Sequence, residues 1–418
     1  MIDPAEAALV QNAERVTQET RDRLLAGTPP LFRMATALCE RLEWGSLVAT
    51  LPNGAALYFE GREAPENRGV LHVRDYRFAR RTLFGGSIGF FESYLDDMWE
   101  TPDLAGFLEV FAANADAVQK VFTGNAFFRM VNGVNHWMNR NTKAGSRRNI
   151  MAHYDLGNAF YEKWLDGTMT YSSALFETGS EDLETAQTNK YRALARRMQL
   201  KRDETVLEIG SGWGGFAEFA AKEVGAKVTG LTISPEQYAF ARERIQREGL
   251  DEKVEFKLQD YRDEQGAYDK IASIEMFEAV GEQYWPQYFA QVRDRLKPGG
   301  AAGLQIITIA DRFFDNYRQS PDFIQKYVFP GGMLPSPSRL RTEIEKAGLR
   351  INEVKSFGES YARTLGAWAE RFSSRLDEIR PMGFDKQFEK LWRFYLAYCE
   401  AGFRAGTTDV VQVAAVRN

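Results

Sequence analysis

Beyond residue 200 the chain alternates between two hydrophobic periods. Short apolar runs fall at 205–209, 227–231, 254–257, 269–274 and 301–309, and amphipathic stretches separate them. Apolar runs of this length between helices read as strands of a parallel sheet, which helices cover on both faces. The pattern goes on with a helix at 337–347, a strand at 350–356, helices at 364–380 and 384–404, and a strand at 409–416. It predicts an α/β domain over 151–418 on a mostly parallel, seven-stranded, Rossmann-like sheet. A segment rich in aromatics and prolines interrupts it at 311–337.

The first third is patterned differently. Helices over 4–26 and 31–43 are split by Gly27-Thr28-Pro29-Pro30. A hairpin over 46–60 turns at Pro52-Asn53-Gly54, since Asn-Gly accepts positive φ. A strand over 69–84 leads through Gly85-Gly86-Ser87 to helices near 93–100 and 103–138. This predicts a smaller α+β domain over 1–138, joined to the second by a polar linker at 139–150.

Composition narrows the classes. With 418 residues at 44% hydrophobic, both domains can bury a core. No apolar run reaches the about 18 residues that a spanning helix needs. The first residues lack a signal-peptide pattern, and Cys39 and Cys399 have no metal-ligand spacing, so a cytoplasmic protein is expected. His72, His136 and His153 are too few for a His-rich metal site, and none is expected. A net charge of −5 argues against nucleic acid as a partner. Two basic clusters, Arg74/Arg77/Arg80/Arg81 and Arg140/Lys143/Arg147/Arg148, suit anionic lipid headgroups or a solvated face.

The chemistry concentrates at 206–215, which read Val-Leu-Glu-Ile-Gly-Ser-Gly-Trp-Gly-Gly before an apolar helix. A strand ending in an acid and entering a glycine turn is the first nucleotide-binding turn of such sheets. Glycine there lets backbone N–H groups approach a ligand with no Cβ in the way. The spacing E-x-G-x-G-x-G points to S-adenosylmethionine (SAM) rather than a dinucleotide. Gly210, Ser211 and Gly212 are therefore expected to contact it. After the second strand, Thr232, Ile233 and Gln237 stand where a ribose-binding carboxylate is usual. After the third, Asp260 and Tyr261 suit adenine. Ile274, Glu275 and Glu278 follow the fourth, at the edge where these sheets react their substrates.

Residues 152–176 read Ala-His-Tyr-Asp-Leu-Gly-Asn-Ala-Phe-Tyr-Glu-Lys-Trp-Leu-Asp-Gly-Thr-Met-Thr-Tyr-Ser-Ser-Ala-Leu-Phe. This closely resembles the signature of the cyclopropane fatty acid synthases, which include the mycolic acid methyltransferases. The likeness continues through Leu183 to Gln187, Gln259 to Asp263, Met276-Phe277-Glu278, Tyr327 to Gly332, Tyr361 and Phe394-Tyr395-Leu396. The resemblance implies SAM-dependent alkylation of a double bond in a phospholipid acyl chain, through a carbocation. In the family, a bound bicarbonate removes a proton from the new methyl and a cyclopropane closes. By position, bicarbonate contacts map to Ser173, Glu278, Gln305, Ile307 and Tyr361. SAM contacts map to Tyr171, Ser172, Gly210, Gly212, Ile233, Gln237, Tyr261 and Ile274. The implied partner is the phospholipid bilayer at the inner membrane face, and a homo-oligomer, most simply a dimer, is expected. A carbocation in an oily tunnel needs aromatic faces, and Phe313, Tyr317, Phe323, Tyr327 and Phe329 are the candidates to line it.

Three departures change the expected proton chemistry. The family's usual cysteine is Ser173, its histidine is Gln305, and the histidine after Phe-Glu is Ala279. Glu275 stands where the family usually has glycine, a second carboxylate close to the sulfonium. The reading is a C-methyltransferase giving a cyclopropane or a methyl-branched unsaturated chain, the latter a furan fatty acid precursor. The alternatives are a non-catalytic lipid- and SAM-binding homologue, or a methyltransferase for a soluble small molecule.

Overall fold

A computed structural model describes Leu9 and residues 12–117, 156–319 and 321–418. By its contacts the chain divides into two compact units. One combines Met1–Asn135 with Gln319–Lys326 and Phe384–Thr407, and the other His136–Arg318 with Tyr327–Gly383 and Thr408–Asn418.

The smaller unit carries a five-stranded sheet. Its strands are β1 (Glu14–Arg15), β2 (Trp44–Thr50), β3 (Ala56–Glu60), β4 (Glu63–Val73) and β5 (Trp99–Glu100), ordered β1-β3-β2-β4-β5. The β2–β3 hairpin forms as expected, with Gly54 at φ +86° in its turn. Three expectations fail. Within the predicted helix 4–26, Glu14–Arg15 instead pairs parallel with β3, and Arg21–Leu24 is a single helical turn. The predicted strand 69–84 ends at Val73, and Arg77–Leu95 is one helix broken at Gly86. Asp75 starts that helix by accepting the Arg77 N–H at 2.8 Å, and Phe78 and Ala79 are buried on it. A helix forecast near 93–100 is strand β5 at its end. The helix from 103 is described as Leu104–Ala113, capped by the Asp103 carboxylate. The forecast linker, His136, His153 and the cluster from Arg140 to Arg148 lie outside the described residues.

The division also departs from the expected boundaries. Segments 319–326 and 384–407, expected in the catalytic domain, fold with the smaller unit. Phe323 is fully buried there, its ring 4.3 Å from Phe91 and 5.0 Å from Phe394. Lys390 binds Asp97 at 2.7 Å and Lys326 binds Glu92 at 2.9 Å. Periodicity reveals an apolar face but not which core receives it. The first basic cluster is largely neutralised. Arg74 pairs with Glu100, Arg77 with Asp75 and Arg81 with Asp96; among the described residues Arg80 alone of the four has no ion pair. Of those three acids, Glu100 and Asp96 arrive from beyond the window that read as basic.

The larger unit is built on β6 (Thr205–Ile209), β7 (Lys227–Thr232), β8 (Val254–Leu258), β9 (Tyr268–Ile274), β10 (Leu296–Ile309), β11 (Leu349–Ser356) and β12 (Thr408–Arg417). Their order is β11-β12-β10-β9-β6-β7-β8. Neighbouring pairs from β10 to β8 are parallel, and β12 runs antiparallel between β10 and β11. The fold is therefore the predicted α/β, Rossmann-like one with a mostly parallel seven-stranded sheet. Alternation along β6 sends Leu207 and Ile209 into one core and Val206 into the other. Two apolar cores, one per face, fix the sheet in place. Strand order reverses between β6 and β9, which opens the crevice where such sheets bind ligands. No described helix is long and apolar enough to cross a membrane.

Candidate active site

Every residue expected to hold SAM lines one pocket over that crevice. Tyr171, Ser172, Gly210, Ser211, Gly212, Thr232, Ile233, Gln237, Asp260, Tyr261 and Ile274 are joined there by Glu208, Trp213, Glu275 and Met276. The turn after β6 needs its glycines. Gly210, Gly212 and Gly214 all have positive φ, and a Cβ on Gly210 would sit 2.7 Å from the Met276 side chain. A Cβ on Gly212 would meet no protein atom within 4 Å; it would project into free space. That open cradle beside backbone N–H groups fits SAM.

Hydrogen bonds hold the remaining walls. Thr232 donates to Gln237 Oε1 at 3.0 Å, and Ser234 caps the helix Pro235–Arg247 through the Gln237 N–H. Asp260 accepts twice from the Arg262 guanidinium, so its carboxylate is charge-compensated within the wall. Tyr171 packs its ring on Trp164 and Trp368. Ser172 accepts from the Lys190 ammonium at 2.6 Å through Oγ, and its carbonyl accepts from Gln187 at 2.9 Å.

Beside this pocket lies a buried polar cluster. Glu275 Oε1 accepts from the Ser173 N–H and from Gln305 Nε2, both at 2.8 Å, and Oε2 accepts from the Tyr361 hydroxyl at 2.6 Å. Its backbone has φ +50°, a left-handed conformation that favours glycine. Burial raises its pKa, while Tyr361, Gln305, Ser173 and the charge of Lys190 oppose the rise. Burial draws the Lys190 amine down to about 7 against the pull of Glu275. Glu278 follows in the turn Phe277–Ala279; its Oε1 accepts the Ile307 N–H, and Oε2 is buried without a partner among the described residues. Burial first, then the charge of Glu275, pushes it up to about 8. Both carboxyls are thus raised by burial; Glu275 has three hydrogen-bond donors opposing the rise, whereas Glu278 has one backbone donor and the adjacent charge of Glu275 adding to it.

Glu278 makes stability fall as pH rises. Its folded pKa lies above the unfolded value, so between about pH 5 and 8 the fold keeps a proton that the unfolded polypeptide releases. Glu278→Gln is expected to be increasingly more stable than the parent protein across that window, by about a few kcal/mol at its upper end. Thermal melts at pH 5 and pH 8 check this; an equal Tm difference at both would refute it.

A family model described as mycolic acid cyclopropane synthetase matches residues 141–413. The chain belongs to that family. It is a SAM-dependent methyltransferase of the cyclopropane synthase type. The chain is 37% identical over 406 residues to the tuberculostearic acid methyltransferase UfaA1 of Mycobacterium tuberculosis, covering 93% of this chain and 90% of that one. It is 34% identical to the cyclopropane-fatty-acyl-phospholipid synthase of Escherichia coli K12, covering 88% and 92%. Among solved structures, the cyclopropane synthase MmaA2 of Mycobacterium tuberculosis aligns with a TM-score of 0.61 at 30% identity, over 65% of this chain and 98% of that one.

Against the family pattern, the site departs at the anion. The Ser173 N–H, the Gln305 amide and the Tyr361 hydroxyl, three of the five groups expected to hold bicarbonate, are engaged by the protein's own Glu275 carboxylate. These residues as arranged do not fit a second anion. The aromatic candidates lie outside the cofactor pocket. Phe313 is buried under Arg312, Tyr317 packs on a sheet core with its hydroxyl accepting the Leu334 N–H, and Tyr327 and Phe329 are partly buried. None of them lines the SAM pocket, and Phe323 belongs to the core of the smaller unit. Lys190 and Gln412 were missed by sequence reasoning. Both carried a signal: Gln187 and Lys190 share the helical face of Leu194 and Met198, and Gln412 breaks an apolar strand.

Proposed function

We propose that this enzyme methylates the double bond of an unsaturated acyl group on membrane phospholipid. In this reading Glu275, in place of bicarbonate, accepts the proton that quenches the carbocation. Bound SAM supplies an electrophilic methyl on a sulfonium. The alkene electron pair forms the new C–C bond, the C–S bond breaks, and the cation sits on the neighbouring acyl carbon. An adjacent acyl C–H bond then gives its electrons to a new double bond and its proton to Glu275. Tyr361 and Gln305 hold the carboxylate in place, and Glu278 stays neutral, so it does not compete for that proton at neutral pH.

The observation that carries the reading is the trio of donors around Glu275. An internal carboxylate offers the same two acceptor oxygens as bicarbonate, without having to bind. The relatives' names support lipid acyl groups as substrate, one a tuberculostearic acid methyltransferase and one a synthase on fatty acyl phospholipid. Access from a bilayer surface is consistent with those names.

The test uses vesicles of cis-unsaturated phospholipid and SAM with a deuterated methyl. Mass spectrometry and NMR are expected to find an open, methyl-branched, unsaturated product that keeps the whole labelled methyl, with no dependence on added bicarbonate. Glu275→Gly is expected to lose activity and regain it with added bicarbonate. A product consisting only of cyclopropane with one deuterium lost, formed in a bicarbonate-dependent way by the parent enzyme, would overturn the proposal.

A further inference from the structure

Behind Glu275 the hydrogen bonds continue away from the cofactor pocket. Gln305 on β10 and Gln412 on β12 are register partners in the antiparallel pair, so their side chains share a face. Both are fully buried. Gln412 Nε2 donates to Gln305 Oε1 at 3.0 Å and to the Lys190 carbonyl at 3.1 Å. Gln412 Oε1 accepts from Arg197 Nε at 3.2 Å. Arg197 also pairs with Glu353 and is partly exposed.

An amide can turn over, exchanging its oxygen and nitrogen, so its direction is set by neighbours that have one role only. A guanidinium only donates and a backbone carbonyl only accepts. Arg197 at one end and the Lys190 carbonyl at the other therefore allow Gln412 a single orientation, with an N–H toward Gln305. Gln305 must then present its oxygen to Gln412 and its NH2 to the other side. There it meets two acceptors, the Ser173 carbonyl at 3.3 Å and Glu275 Oε1 at 2.8 Å. The Ser173 N–H reaches the same Oε1, so that oxygen accepts from two N–H groups, and a proton on Glu275 belongs on Oε2, beside the Tyr361 hydroxyl.

We propose that Arg197 and Gln412 are positioning residues that lock the Gln305 amide NH2 toward Glu275 Oε1, where its donated hydrogen bond favours the ionised form of the carboxyl. The inference rests on Glu275 being the base. The titratable groups acting on Glu275 from the elements around it are Tyr361, Lys190 and Glu278. None of them fixes the direction of Gln305. That direction comes from the β12 side of the sheet.

The experiment compares kcat–pH profiles on unsaturated phospholipid vesicles at saturating SAM. Gln412→Glu places an acceptor, kept ionised by Arg197, where a donor stood. Gln305 then turns over and offers its oxygen to Glu275, which favours the protonated form. The acid limb of the profile is expected to move up by at least about one pH unit, a tenfold loss at the old midpoint, while KM for SAM changes little. Arg197→Met, at a partly exposed position, removes the anchoring donor without inserting a charge. It is expected to move the limb the same way by less, and it reports even if Gln412→Glu fails to fold. A purely structural role would lower rates at every pH and leave the limb in place. Glu275→Gln with a near-parental rate would overturn the assignment of the base itself. An inactive Glu275→Gln beside unmoved limbs in the folded relay variants would overturn the relay alone.

Discussion

Gly212→Val is expected to weaken SAM binding by at least about 100-fold, close to 3 kcal/mol. Bulk in the pocket causes the loss, and strain is a separate cost. The residue holds φ +51°, and a β-branched side chain is strained there by about 1–3 kcal/mol, which lowers the stability of the fold in the free and bound protein alike. The added isopropyl group meets no protein atom near its Cβ, so the fold does not expel it; it fills the pocket instead. Calorimetric titration with SAM checks the affinity, and Gly212→Ala separates the two effects, since it carries most of the backbone strain and little of the bulk. Parental affinity in the valine variant would refute the cofactor assignment. Gly210 offers no comparable test, because a side chain there collides with Met276 and disturbs the turn itself.

The second large effect falls on turnover. Glu275→Gln is expected to lower kcat by about 10²–10⁴-fold, the usual weight of a general base, with SAM affinity within a few fold. The amide keeps the length and planarity of the side chain. Its oxygen can take the Ser173 and Gln305 bonds, and its NH2 can donate to Tyr361. Loss of fold is thus not the expected cause of lost activity, and a thermal melt alongside the assay checks this. A variant turning over at the parental rate would remove Glu275 from the chemistry.

How legible this was in the sequence differs between the two units. The larger sheet could be read almost strand by strand, because most of its strands are short apolar runs between helices and their neighbours come from the same stretch of polypeptide. The lining of the pocket was legible for the same reason: most of the residues expected to hold SAM sit just past the end of a strand, where topology alone puts them over the crevice. The smaller unit resisted. Glu14–Arg15 is strand only because β3 offers an edge, and the segment before Gly85-Gly86, read as strand, is helix up to a break at Gly86. The polar cluster around Glu275 was half legible. Glu275 stood out as an acid at a glycine position, yet its partners arrive from Ser173, Gln305 and Tyr361, brought together by folding and not by spacing. Gln412 and Lys190 were hidden further, since a polar residue on an apolar face announces a buried hydrogen bond without naming the acceptor.

The way the sequence is shared between units has a consequence for biosynthesis. The smaller unit needs Phe394 and its helix Lys386–Arg404 to close around Phe91 and Phe323. Those residues follow nearly all of the larger unit. At about 5–20 residues per second, a ribosome that has made residue 135 takes roughly 15–50 s to reach them. The strands that will become the smaller sheet spend that interval with an unfilled aromatic core, and β10 and β11 wait likewise for β12 to enter between them. A nascent polypeptide of this design is a natural client for chaperones that shield apolar surface. Cutting the protein after residue 138, or grafting that piece onto another catalytic domain, would yield an incomplete fold rather than a portable lipid-handling module.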